Sequence, residues 1–194
     1  MNLNEFLATV PEFDGLSGQD IDTLSTIMVV REFSDGHEFV REDASAQDVY
    51  IVVDGEIAVT HKRGKQRGFL DIKHLHAGEM FGLLSLIDDG KHEASCKAVG
   101  PVTVATLPRQ AFKLLYDSNV PIAFHFQRVV GRQLMRDYRT LNRLLRAVAF
   151  AEDEENAEAA MRSILNEYQG PERRKGDRRK ISPQAVGDET TASG

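Results

Sequence analysis

The sequence predicts a mainly β protein with flanking helices: a double-stranded β-helix (a jelly-roll, cupin-like β-roll) followed by a long C-terminal helix. Three observations carry this. Between Arg31 and Leu107, short runs rich in Val, Ile and Phe alternate with Gly and Asp turns, the spacing of an all-β roll or barrel. Gly36, Gly55, Gly78 and Gly82 punctuate those runs. Beyond them the apolar period becomes helical, from about Pro121 to Phe150.

Taken in order, Asn4–Thr9 predicts a short helix and Gly18–Val30 a second. In the latter, Ile21, Leu24, Ile27 and Met28 keep helical spacing, and Ser17 is placed to accept a free N–H of the first turn. Strands are expected at Glu38–Arg41, Val49–Val53, Glu56–His61, Phe69–Leu75 and Val102–Leu107. Asp54-Gly55, between two apolar runs, predicts a hairpin turn with positive φ. Pro108–Asp117 reads as a helix with Phe112, Leu114 and Leu115 inward. Pro121 suits the first turn of the long helix, where its missing N–H costs nothing. Along that helix Leu134, Tyr138, Leu141, Leu145 and Val148 step by 4, 3, 4 and 3 residues, the seam of a left-handed coiled coil. The expectation is a homodimer through this seam; the alternative is a stripe packed on its own domain. Arg128, Arg132, Arg136, Arg139, Arg143 and Arg146 run along the same helix, most of them expected to form a solvated face. Ala157–Tyr168 predicts a short amphipathic helix. The expected organisation is therefore N-terminal helices over 1–30, the roll over 31–118, a dimerisation helix over 119–150, and a charged, largely disordered tail over 151–194.

Hydrophobic residues make up 41% of the chain, enough to fill a core, and with no Trp the 10 Phe are its bulkiest candidates. A net charge of −6 argues against binding a polyanion over the whole surface. A local exception is Pro171–Lys180, with six basic and two acidic residues. Cys96 is the single cysteine, so no intramolecular disulfide forms and a reducing compartment is expected. No apolar stretch approaches the roughly 20 residues that span a bilayer, and the opening lacks a signal-peptide pattern. A cytoplasmic protein with no membrane span is expected.

Several motifs in sequence order carry a family resemblance. Phe13-Asp14-Gly15-Leu16-Ser17 is similar to an "F-x-G-L-S" helical opening. Phe33-Ser34-Asp35-Gly36 followed by Phe39-Val40-Arg41-Glu42-Asp43 resembles "F-x-x-G-x-x-I-x-x-E-G". Tyr50 to Val59 matches a "Y-x-I-x-x-G-x-V-x-V" hairpin, and Gly78-Glu79-Met80-Phe81-Gly82 matches "G-x-x-F-G". Over about residues 10–116 the chain resembles the cyclic-nucleotide-binding domain family in its catabolite activator protein-like form, without the winged helix-turn-helix DNA-binding domain. The resemblance implies a pocket in which backbone N–H groups of a short helical turn hold a phosphate. A glutamate grips the ribose hydroxyl and an arginine pairs with the cyclic phosphate. The usual run is F-G-E-x-A-L, a short variable stretch, then R-x-A-x-V-x-A.

Here the run from Phe81 to Ala98 aligns without a gap. Leu83 stands at the glutamate position and His92 at the arginine position, with Glu93 next. Leu83 has no acceptor, and an unpartnered sugar hydroxyl costs roughly 1–3 kcal/mol. A histidine of ordinary pKa near 6.5 is mostly neutral at neutral pH. Glu93, Asp88 and Asp89 repel a phosphate, and Lys91 is the one compensating cation of the loop. The provisional ligand-binding set is Phe81, Gly82, Leu83, Leu84, Lys91, His92, Glu93, Ala94 and Ser95. No cofactor is expected; a cyclic nucleotide is the candidate ligand, and weak or no cAMP binding by the usual mode follows. His92 reads as an exposed loop histidine without a role, with proton sensing as the sharper alternative.

No catalytic constellation is present, so the expectation is a non-enzymatic regulatory or signalling protein acting through protein–protein contacts. A first rival is a working cAMP, cGMP or cyclic-di-GMP receptor using backbone N–H groups of Gly82, Leu83, Leu84, Ala94 and Ser95 with Lys91. A second is a salt-dependent nucleic-acid binder through Arg173–Lys180. The short R-x-x-D and R-x-x-x-R patterns at Arg174 occur in cyclic-di-GMP sites, but a plain basic tail explains them as well. Only 44 residues follow Phe150, too few for a winged helix-turn-helix, so no specific DNA recognition is expected. His74 and His76 share a predicted strand face, a spacing metals use, though a polar face is the plainer reading and no metal is expected.

Overall fold

The computed structural model describes residues 2–62, 68–151 and 153–167. Helices α1 (Leu3–Thr9) and α2 (Gly18–Ile27) open the chain, with a 3-10 turn at Pro11–Phe13 between them. Both start at reciprocal caps. Asn2 accepts the Glu5 N–H at 2.8 Å, and the Glu5 carboxylate accepts the Asn2 N–H at 3.2 Å. Ser17 and Asp20 do the same for α2, at 3.2 and 2.9 Å. Helix α2 stops at Ile27 rather than reaching Val30. The β-branched pair Val29 and Val30 instead begins a strand, where branching at Cβ packs better.

The strands are β1 (Val29–Phe33), β2 (Glu38–Val40), β3 (Asp48–Lys62), β4 (Phe69–Leu75), β5 (Met80–Phe81) and β6 (Ser95–Pro108). They form one antiparallel sheet in the order β1-β6-β3-β4, with β2 on β6 and β5 on β3. The long pair β3 and β6 curls the sheet into the roll.

The expected hairpin at Asp54-Gly55 is absent. Strand β3 runs through it, and the dipeptide forms a bulge against β6. Val52 faces Val104 before the bulge, and Ile57 faces Ala98 after it, a net slip of one residue. Side chains alternate faces with a period of two, so five steps on β3 against six on β6 exchange the faces of β3 while β6 keeps its own. Before the bulge the even residue Val52 lines the roll interior; after it the odd residues Ile57 and Val59 do. The bulge thus keeps apolar residues inside while the strand bends. Gly55 adopts φ +88°, and a Cβ there would lie 2.6 Å from the Pro101 carbonyl oxygen, so only glycine fits.

Two apolar clusters result. One fills the roll interior, including Val40, Val52, Ile57, Val59, Leu75, Phe81 and Cys96. The other lies where the helices pack on the roll, around Phe6, Leu7, Leu24, Val49, Phe112 and Phe126. Helix α3 (Leu84–Ile87) precedes β6; α4 (Arg109–Asp117), α5 (Pro121–Ala149) and α6 (Glu154–Glu167) follow it. In α4, Phe112 and Leu115 are buried, but Leu114 is 74% exposed rather than inward. Residues three apart share a helix face, and Leu114 falls off the face set by the other two.

The first half of α5 buries Ala123, Phe126, Val129, Val130 and Gln133. The predicted seam begins on this chain's own core, where Leu134 is partly buried. Tyr138, Leu141, Leu145 and Val148 are exposed, and α6 packs back along α5. No helix among the described residues is long and apolar enough to cross a membrane. Tyr168, the basic run Arg173–Lys180 and the rest of the tail lie outside the described residues.

Candidate functional site

Between β5 and β6 the chain makes a tight loop around α3. Gly82 enters it at φ +78°, where a Cβ would lie 2.7 Å from the Asp48 carbonyl oxygen. Asp89 turns the loop tip at φ 55°. The loop, the roll interior and the underside of α5 line a cavity of about 210 Å³ that is partly open to solvent. Phe81, Gly82, Leu83, Leu84, Lys91, His92, Glu93 and Ala94 all line it. Ser95, the ninth predicted residue, does not; it is buried, and its hydroxyl accepts the Glu42 N–H at 3.0 Å.

The two substituted positions lie inside the protein. Leu83 is 4% exposed and belongs to the apolar core. Burying such a side chain stabilises by roughly 1.5–3 kcal/mol. His92 is 9% exposed, so it is not the exposed loop histidine expected from sequence. Its backbone is tied down on both sides: its N–H donates to Ala44 at 2.9 Å, and its carbonyl accepts the Asp43 N–H at 2.8 Å. Its ring Nδ1 lies 2.5 Å from the hydroxyl of buried Ser85. Burial lowers the His92 pKa below the ordinary value, which favours a neutral ring. Neighbouring Cys96 has its thiol pushed by burial up to about 12, which makes it an inert packing group.

Charge gathers at the rim. Lys73 pairs with Asp137 at 2.8 Å, joining β4 to α5. Lys91, Asp88 and Glu93 complete that rim. At the loop tip, Asp89 binds Lys113 at 2.6 and 2.9 Å and Arg109 at 2.5 Å. Lys113, and then Arg109, hold its carboxyl below the usual range. Over the cavity, Gln133 closes a two-way contact with Met80. Its carbonyl accepts the Met80 N–H at 3.0 Å, and its amide donates to the Met80 carbonyl at 2.5 Å.

Ser85, Lys73 and Gln133 escaped the sequence reading. Ser85 had a signal, since it stands at the alanine position of F-G-E-x-A-L. Lys73 and Gln133 had none, because they reach the cavity from distant elements. Against the run that the resemblance implies, the glutamate position holds Leu83, part of the apolar core, and the arginine position holds His92, whose ring is bonded to Ser85. His74 and His76 do not share a strand face, because β4 ends at Leu75. His74 is held between Glu56 and Asp71, the latter at 2.8 Å, while the His76 N–H donates to buried Glu79 at 2.8 Å.

Residues 30–119 match the model of the cyclic nucleotide-binding domain. Over 163 residues the chain is 26% identical to a cyclic AMP receptor protein of Thermus thermophilus, spanning 83% of this chain and 72% of that protein. Over 116 residues it is 28% identical to a cAMP-dependent protein kinase regulatory subunit of Mycosarcoma maydis, but spans only 22% of that protein. A regulatory domain of Toxoplasma gondii PKA crystallised with cAMP superposes with a TM-score of 0.57 at 27% identity, over 67% of this chain and 49% of that one. A cyclic nucleotide-binding domain from Methylobacillus flagellatus superposes with a TM-score of 0.63 at 21% identity, over 71% and 76% of the two chains. That last likeness concerns the fold alone.

Proposed function

Residues 30–119 belong to the cyclic nucleotide-binding domain family, and on that premise we propose a non-enzymatic, cytoplasmic regulatory protein whose pocket no longer grips a cyclic nucleotide by the usual contacts. One observation carries this reading. Leu83 and His92, at the two gripping positions, are both buried, one in the apolar core and the other bonded to Ser85. With the ribose acceptor gone, a hydroxyl there loses its partner. With an imidazole in place of guanidinium, and burial disfavouring its charged form, the phosphate loses its charge-assisted fork. Output then runs through protein contacts along α5, whose exposed apolar stripe suits a second copy of the chain.

Calorimetry with cAMP, cGMP and cyclic-di-GMP at neutral pH tests the reading. No saturable heat is expected from any of them. Binding of cAMP at micromolar concentration or tighter overturns it in favour of a working receptor, the activity named for the Thermus relative.

A further inference from the structure

We infer that the cavity beneath α5 is a binding site for a small uncharged molecule, about one aromatic ring in size, whose single hydrogen-bonding group meets His92 and Ser85. This deepens the proposed function and rests on its reading that the usual nucleotide contacts are gone.

Size comes first. The cavity measures about 210 Å³. An apolar cavity of about 150 Å³ holds benzene, whereas drug-sized ligands need roughly 300–1,000 Å³. The space suits one ring with a substituent.

Lining comes second. Val40, Val59, Leu75, Phe81 and Leu83 are buried and supply apolar walls. A charge brought among them without a partner is costly. The rim does not offer a spare cation pair for an anion. Lys73 is held by Asp137, and Lys91 shares the rim with Asp88 and Glu93.

The third observation selects the polar end. His92 and Ser85 both line the cavity and are 9% and 4% exposed. They bond each other at 2.5 Å. With that bond made, the imidazole Nε2 and the Ser85 hydroxyl oxygen keep capacity to bond a neutral guest, as donor or acceptor according to the tautomer. A hydroxyl or carbonyl on the ring matches that couple; a phosphate does not.

Phenol, toluene and cAMP, titrated separately into the full chain carrying labelled Val and Leu methyls, provide the test by NMR. Phenol is expected to shift the methyls of Val40, Val59, Leu75 and Leu83 saturably, and to bind roughly three- to tenfold tighter than toluene. His92→Leu is expected to abolish that preference while toluene still binds. Ala94→Leu, which narrows the cavity, weakens both, with a melting curve to check its fold. Wild-type methyls that ignore both rings up to their solubility overturn the inference without recourse to any variant. So does equal affinity for phenol and toluene, which removes the part played by His92 and Ser85. Micromolar cAMP binding overturns the proposed function instead, and the phenol shifts still decide the present point.

Discussion

His92 gives up water for the cavity wall, and burial lowers its pKa from the ordinary 6.5. His74 moves the other way: its bond to Asp71, and then that to Glu56, raise its pKa against some burial. Linkage gives these shifts opposite consequences. The unfolded chain takes up the His92 proton more readily, so His92 costs stability as pH falls below about 6.5. For His74 the folded chain holds the proton more tightly. Its contribution is complete below about 6.5 and lost as pH rises through the folded value. Urea unfolding at pH 5.5 and 7.5 separates the two. Relative to wild type, His92→Gln should lose less stability on acidification and His74→Gln should lose more. A pH slope unchanged by either substitution contradicts the assignment. Sequence alone placed His92 at the arginine position of the family run but missed its burial. That burial depends on Ala44 and Asp43, nearly fifty residues earlier, and on the Ser85 hydroxyl.

At the scale of the element, β3 shows what a dipeptide can and cannot announce. Asp54-Gly55 signals positive φ, and Gly55 has it. Positive φ serves a hairpin turn and a bulge equally, and the choice is made by β6, which pairs with β3 on both sides of the kink. The β-branched runs, turn glycines and capping residues act locally, so most elements were legible; the continuity of β3 was not. Comparing two glycines isolates the cost of the bulge. Gly36 has φ +76° and open space around a notional Cβ, whereas Gly55 adds the Pro101 carbonyl to a similar φ. Gly36→Ala should cost about 1–2 kcal/mol from backbone conformation alone. Gly55→Ala should cost roughly 3 kcal/mol or more, since the bulge must also shift. Denaturant midpoints at constant slope measure the difference, and equal losses argue against the close approach.

The whole molecule divides into a roll carrying a cavity and a long helix that leaves it. The family resemblance was readable because its motifs lie in short contiguous stretches in the right order. Closure of the cavity by α5 was not, because a heptad pattern does not reveal where a helix stops packing on its own domain and starts to project. Leu134 falls on one side of that change and Leu141 on the other. If the projecting stripe joins two copies, light scattering gives a dimer mass for the wild type and a monomer mass for Leu141→Asp. A charge desolvated in an apolar seam costs more than the contact it replaces. Two dimers place the seam elsewhere, and two monomers remove it.

Gln133 bears on all of this through its paired bonds to Met80. By meeting both backbone groups of one strand residue, it behaves like an added rung of the sheet, so α5 is stitched to β5 as a neighbouring strand would be. The cavity then has no separate roof to lift. Widening it at β5 means parting Gln133 from Met80, the same contact that holds the buried half of α5 to the sheet.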